Sequence, residues 1–278
     1  MLPLVVVNLL VIVGPAAATV WYAFTDWSGI GAARFVGLAN FRELLGDADF
    51  HQAASHYLVW TLFFLTVPIG MGLLGAFLLS RIRRFQVLFR IAYFIPYVIA
   101  SVVNGAIWQN LLDPVLGVGA QLDKLGVPLL RDVNFLGNPS LALPAVAFVD
   151  NWHWWGFLVV LFPAAMGSVD RSLYEAARVD GASTWREFWH ITLPGIRATL
   201  LFVALMTIIW SLLAFDYVYI LTQGGPAGAT ELISTLLYKQ AFTLNEAGYA
   251  AAMGVGMTSV VLVVVGAFLW LRRRGWEV

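Results

Sequence analysis

No cysteine occurs among the 278 residues, which removes any disulfide framework, thiolate metal ligand or cysteine nucleophile and leaves the redox compartment unmarked. Lysine is almost as scarce. The only two, Lys124 and Lys239, stand outside any glycine-rich loop of the kind that cradles nucleotide phosphates, so the chain is not itself an ATPase of that type. The four histidines, His51, His56, His153 and His190, show no metal-ligand spacing with acids or with each other. Neither a serine nucleophile elbow nor a pair of catalytic carboxylates is visible. Charge of either sign is thin, at 12% of residues against about 25% in a typical soluble domain. The formal net charge is zero, which argues against a nucleic-acid partner.

What the chain does have is apolar: 60% of its residues. A helix needs about 20 mostly apolar residues to cross a hydrocarbon core of about 30 Å, and six stretches meet that requirement. They run roughly over 4–24, 57–79, 91–112, 141–166, 199–221 and 250–271. The first is too long for a signal peptide's apolar region and lacks a convincing cleavage site, so it is kept as a span. The expected fold is an all-α integral membrane protein forming a single transmembrane domain over 1–278, with external caps at 28–56 and 113–140.

Positive charge near helix ends resists transfer across the membrane, so the distribution of arginine and lysine orients the spans. Eleven of the sixteen fall on one side: Arg81, Arg83, Arg84 and Arg90, then Arg171, Arg178, Arg186 and Arg197, then Arg272, Arg273 and Arg274. Only Arg34, Arg42, Lys124, Arg131 and Lys239 fall on the other. Both termini are therefore expected to be cytoplasmic. Trp21, Tyr22 and Trp27 at the outer boundary, with Trp270 and Trp276 at the inner one, fit interfacial aromatic belts. Gly248, Ala252 and Gly256 recur at four-residue spacing, which would let another helix approach closely, and Gly70, Gly72 and Gly75 would loosen the second span.

Between the fourth and fifth spans, on the inner side, the segment 172–194 has the local grammar of a helical hairpin. Ser172 with Glu175 reads as a capping box, and Thr184 with Glu187 repeats it. Gly181 between them supplies the positive φ at which one helix ends and the chain turns. Ala176 and Ala177 permit close docking, with Glu175, Arg178 and Asp180 placed to register it. Trp185, Phe188, Trp189 and Thr192 share one helical face suited to the inner membrane surface or the helix ends. Pro194 is expected to break the run before the fifth span. The alternative is that Glu175 and Asp180 merely cap and solvate a surface hairpin.

Ionisable residues inside a membrane are costly and usually face a cavity or a partner. Asp150 in the fourth span and Asp216 toward the outer end of the fifth are the two such carboxylates. Asp150 and Trp154 share a helix face, as do Asn151 and Trp155. A carboxylate or amide beside an aromatic ring suits a sugar, whose hydroxyls take hydrogen bonds while its C–H face packs on the ring. Asn104 and Gln109 in the third span could add polar contacts. Two readings stay open: pathway lining, or bonding between neighbouring helices.

Glu175, Ala176, Ala177 and Gly181, followed by Ile191, Leu193 and Pro194, resemble the EAA loop of permease subunits of binding-protein-dependent ABC importers. The run from Tyr174 to Ser183 is most similar to the carbohydrate-uptake branch, which includes maltose and glycerol-3-phosphate permeases. Phe35 to Phe41, Phe94 to Tyr97 and Phe215 to Pro226 extend the resemblance over almost the whole chain. Two departures stand out. Many relatives begin with a basic cytoplasmic segment for which Met1 leaves no room, so the native start is expected to lie further upstream. Relatives also often carry proline where Asp170 stands, though Asp170 keeps a helix-initiating character.

The resemblance implies that Glu175, Ala176, Ala177 and Gly181, flanked by Arg178 and Asp180, dock into a groove on a separate ATPase subunit. ATP and Mg would be bound by that partner, with no cofactor and no catalysis in this chain. It further implies a second homologous permease, an ATPase dimer, an external solute-binding protein and a bacterial or archaeal inner membrane. In maltose permeases, sugar contacts come partly from the segment matching Phe215, Asp216 and Tyr217, so the pathway residues expected here are Asn104, Asp150, Asn151, Trp154, Phe215, Asp216 and Tyr217. The cargo would be a carbohydrate, or alternatively glycerol-3-phosphate or a related polyol ester. The competing class is an ion-coupled secondary transporter using Asp150 and Asp216, which leaves the hairpin unexplained.

Overall fold

The computed structural model describes residues 2–82, 84–130 and 133–274; Arg83, Arg131 and Trp276 lie outside the described residues. The described residues are mostly helical, with one isolated antiparallel bridge between Thr25 and Phe35. Helix α1 (Leu2–Asn8) passes through a π-helical stretch, Leu9–Val13, into α2 (Gly14–Tyr22). The chain then turns outside the bundle, where the buried Asn40 amide donates to the carbonyls of Ala23 (2.9 Å) and Thr25 (2.8 Å) and pins α3 (Ala39–Gly46) beneath it.

Asp47 caps α4 (Ala48–Leu79) by accepting from the Asp49 and Phe50 amides, while its other oxygen accepts from the Tyr249 hydroxyl at 2.5 Å. At 1.5 Å per residue these 32 residues extend about 48 Å, so the first turns of α4 stand clear of the hydrocarbon. Helices α5 (Gln86–Val98), α6 (Ser101–Leu111) and α7 (Val118–Lys124) follow, then α8 (Pro139–Met166). The hairpin comprises α9 (Arg171–Val179) and α10 (Thr184–Glu187), the latter continuing through π-helical Phe188–Thr192 into α11 (Leu193–Gly195). Helices α12 (Arg197–Leu212), α13 (Asp216–Leu221), α14 (Ile233–Phe242) and α15 (Ala247–Arg273) complete the chain.

The core is α8 clasped between α4 and α5. Gly72 and Gly75 of α4 press directly on Leu158, Phe162 and Val159 of α8, so these glycines tighten the second span instead of loosening it; Gly70 faces nothing. Gly156 of α8 sits against the backbone of α5, where a Cβ would fall on the Tyr93 carbonyl oxygen. Gly248 also serves close approach, but to the loop at Thr25 and Trp27 and not to a helix; its amide donates to the Trp27 carbonyl at 2.8 Å. That bond places the start of α15 beside the end of α2, whereas the hairpin packs on Phe77 near the opposite end of α4.

Among the described residues four helical runs are long and apolar enough to cross a membrane unaided, and two bent pairs bring the total to six. The bent pairs correct the expected third and fifth spans. The third turns by 99° between α5 and α6. Pro96 offers no amide to the helix, and its carbonyl, which a continuous helix would give to Ala100, accepts instead from His153 Nδ1 at 3.0 Å; Ile99 is extended. The fifth does not run unbroken to Leu221, because α12 stops at Leu212. The Ala214 carbonyl, which a helix would give to Val218, accepts from the Ser234 hydroxyl and from the Tyr57 hydroxyl at 3.4 Å. At the other end of α12, Pro194 is carried inside the helical run, and the 69° bend falls at Ile196.

Candidate functional site

The two upper interruptions meet. Ser101, the first residue of α6, donates to Asp216 Oδ2 in the first turn of α13 at 3.0 Å. Non-helical backbone at membrane depth is tolerated where it is buried in protein or lines a cavity. Here Leu213, Ala214 and Phe215 line a half-open cavity of about 340 Å³ between α4, α8, α12 and the two breaks.

Of the pathway residues expected from the sequence, Asp150, Trp154, Phe215, Asp216 and Tyr217 all reach this cavity. Asn104 and Asn151 are buried outside its lining. Asn104 donates to the Tyr217 hydroxyl at 2.8 Å, orienting a lining ring from behind, and Asn151 donates to Met71 Sδ at 3.4 Å between α8 and α4. Gln109 donates to the Ile220 carbonyl at 3.2 Å, tying α6 to α13. Sequence reasoning missed Trp60 and Phe64 of α4, Thr207 and Ser211 of α12, and Tyr97 and Ser101 at the first break. The pairs 60/64 and 207/211 each have i, i+4 spacing, but only the tertiary fold reveals that they face one another.

The cavity wall is aromatic and rich in hydrogen-bonding groups. Trp154 meets Trp210 edge to face at 4.2 Å and stacks on Phe157 at 5.2 Å, and Tyr97 lies 5.2 Å from the His153 ring. Because a carbonyl only accepts, His153 Nδ1 must carry the proton in its bond to Pro96, which leaves Nε2 as an acceptor on the neutral ring. The Trp60 and Trp154 indole N–H groups and the Thr207 hydroxyl are buried without a partner among the described residues. Such groups cost free energy when left unmet.

The hairpin is the second feature. Its caps sit earlier than the sequence suggests: Asp170, not Ser172, accepts from the Ser172 amide at 2.9 Å, and Ser183, not Thr184, caps α10. The Ser172 amide holds the Asp170 carboxyl below its usual range. Its contribution is therefore fully present above that range and is lost only as pH falls through the lowered value, so the cap is indifferent to pH near neutrality. Gly181, at φ +75°, ends α9 in a Schellman turn: its amide donates to the Arg178 carbonyl and the Ala182 amide to the Ala177 carbonyl.

Two cross-links bind the arms. Arg178 Nε donates to Glu187 Oε1 at 2.9 Å, with Glu187 buried, and the Tyr174 and Thr192 hydroxyls lie 3.0 Å apart. Phe188 packs under Phe77 with ring centroids 5.1 Å apart, seating the hairpin on α4, while Trp185 and Trp189 remain half exposed. Glu175, Ala176, Asp180 and Gly181 face outward and Ala177 is half-buried. The exposed face includes Leu173 and Val179, the latter 88% accessible, an apolar element that the sequence reading passed over. Truncating Glu187's partner with Arg178→Met should loosen the hairpin, with earlier proteolytic cleavage between Arg171 and Arg197 and unchanged cleavage elsewhere.

Known proteins carry the same architecture. The family of binding-protein-dependent transport system inner membrane components matches residues 67–276. A probable ABC transporter permease of Pyrococcus horikoshii is 32% identical, covering 94% of this chain and 90% of the relative. The diacetylchitobiose uptake system permease of Streptomyces coelicolor is 34% identical, covering 98% and 80%. A solved bacterial ABC transporter involved in import of the acidic polysaccharide alginate superposes with a TM-score of 0.87 at 25% identity, covering 98% of this chain and 93% of that one. With the match spanning most of the sequence and the relatives nearly full length, the chain belongs to the family of binding-protein-dependent transport system inner membrane components, a multi-pass membrane permease of the ABC class.

Proposed function

We propose that this chain forms half of the translocation pathway of an ATP-driven importer for a carbohydrate delivered by an external solute-binding protein. The observation that carries the reading is the cavity at the meeting point of two interrupted helices, where carboxylates stand beside indole and phenol rings. Sugars are held by that pairing, since hydroxyls bond to the carboxylates while the ring's C–H face packs on an aromatic. Relatives named for diacetylchitobiose, xylose and arabinose, and trehalose and maltose support the same class.

In this reading the hairpin faces the cytoplasm with both termini. Glu175, Ala176, Ala177, Arg178, Asp180 and Gly181 dock into a separate ATPase dimer that holds ATP and Mg, so the chain itself is not catalytic. A second homologous permease completes the pathway. The test is co-purification followed by reconstitution. The tagged chain should come out of the membrane with a second permease and an ATPase, and proteoliposomes should accumulate a saccharide only with ATP and the binding protein. Transport by the chain alone, driven by an ion gradient, would overturn this reading in favour of a secondary transporter.

A further inference from the structure

The charge of the cavity wall narrows the solute. Asp150 and Asp216 both line it, and no lysine or arginine does so among the described residues. Asp216 is held by Ser101, but among the described residues no hydrogen bond or ion pair engages the Asp150 carboxylate. His153, the remaining ionisable side chain of the wall apart from its tyrosines, has its proton-bearing Nδ1 committed to the Pro96 carbonyl. The other polar wall residues Trp60, Trp154 and Thr207 are neutral, and their indole N–H and hydroxyl groups are buried without a partner among the described residues. This chain's side of the wall offers strong acceptors to hydroxyl or ammonium donors, and among the described residues it supplies nothing cationic to balance a carboxylate, phosphate or sulfate. Like charges brought together in a poorly solvated site repel strongly.

Resting on the carbohydrate reading above, we infer that this cavity admits neutral or amino-bearing saccharides and rejects anionic ones, Asp150 and Asp216 being the residues that discriminate. The glycerol-3-phosphate alternative falls with that charge. So does any cargo of the uronate type, even though the alginate transporter shares the fold: the wall's charge and not the architecture sets the choice.

The test uses the assembled transporter in lipid nanodiscs, without its binding protein so that only the pathway selects. Quenching of tryptophan fluorescence, to which Trp60, Trp154 and Trp210 contribute from the wall, reports occupancy. The probes are matched disaccharides in neutral, 2-amino and uronic acid forms, on glucosyl, galactosyl and xylosyl backbones where each form exists. On a backbone that binds, the neutral and amino forms should quench saturably and the uronic acid at least tenfold more weakly. In the isosteric Asp150→Asn/Asp216→Asn double variant, the uronic acid should come within about threefold of the neutral form and the amino form should weaken. A uronic acid that binds the wild type as tightly as its neutral counterpart overturns the inference and leaves the carbohydrate reading intact. A wild-type preference that survives unchanged in the double variant takes the discrimination away from these two residues and also overturns it. Absence of quenching by every neutral and amino member overturns the carbohydrate reading, and the inference with it. The wild-type series decides even where the variant fails to assemble.

Discussion

Replacing Gly181 by valine, or Glu175 by lysine, should cut solute accumulation by the reconstituted transporter at least tenfold while leaving ATP hydrolysis running. The two changes act through different physics. Gly181 holds φ +75° and closes the Schellman turn, a conformation that costs an ordinary L-residue about 1–2 kcal/mol and a β-branched one more. Valine there reopens the end of α9 and misaligns the two arms. Glu175 is exposed, and lysine reverses the charge on the proposed docking face without touching the fold. Helix content by circular dichroism and recovery of the membrane bundle should be unchanged in both. Normal uptake by both variants would remove the hairpin from energy coupling.

Gly156→Val should have the larger effect on the protein itself: the chain fails to accumulate in the membrane, and no complex is recovered. Ordinary overpacking costs about 1–3 kcal/mol because neighbouring side chains can give way. Here the obstacle is the Tyr93 carbonyl of α5, a backbone atom that can move only if the helix moves. Displacing α5 also breaks the His153 bond to Pro96 and the edge-to-face contact of Tyr93 with Trp155 at 5.1 Å. Gly266→Val is the matched control, since nothing lies within 4 Å of its added carbon, and it should be recovered at wild-type yield. Equal yields from the two variants would refute the packing argument.

Composition carried the membrane reading, because a bilayer demands long apolar helices and the uninterrupted spans in α4, α8 and α15 are such runs. The hairpin was legible for a similar reason, since a glycine turn between two capped helices is local chemistry. Its caps slipped by one or two residues because Asp170 and Ser183 compete with Ser172 and Thr184 for the same free amides. The helix interruptions were not legible. An apolar window cannot register that His153 takes the Pro96 carbonyl, or that Tyr57 and Ser234 take that of Ala214, and these long-range bonds end α5 and α12. The same limitation split the expected pathway residues. Asp150 and Asp216 stood out as carboxylates in lipid-length helices, whereas Asn104 and Asn151 could be placed behind the wall only once Tyr217 and Met71 were seen beside them.

Helix α12 is an unbroken rod whose lower end begins at the Ile196 bend and whose upper end opens at Leu213 onto the cavity wall. Sixteen residues make it about 24 Å long. Together with the braced hairpin it has the shape of a bell crank, bent by 69° at Ile196. A tilt of roughly 5° at that bend carries the far tip of an arm of about 24 Å through about 2 Å. That throw is comparable with the length of a hydrogen bond, so under the proposed function a small push on the hairpin would be enough to remake or release contacts at the cavity wall.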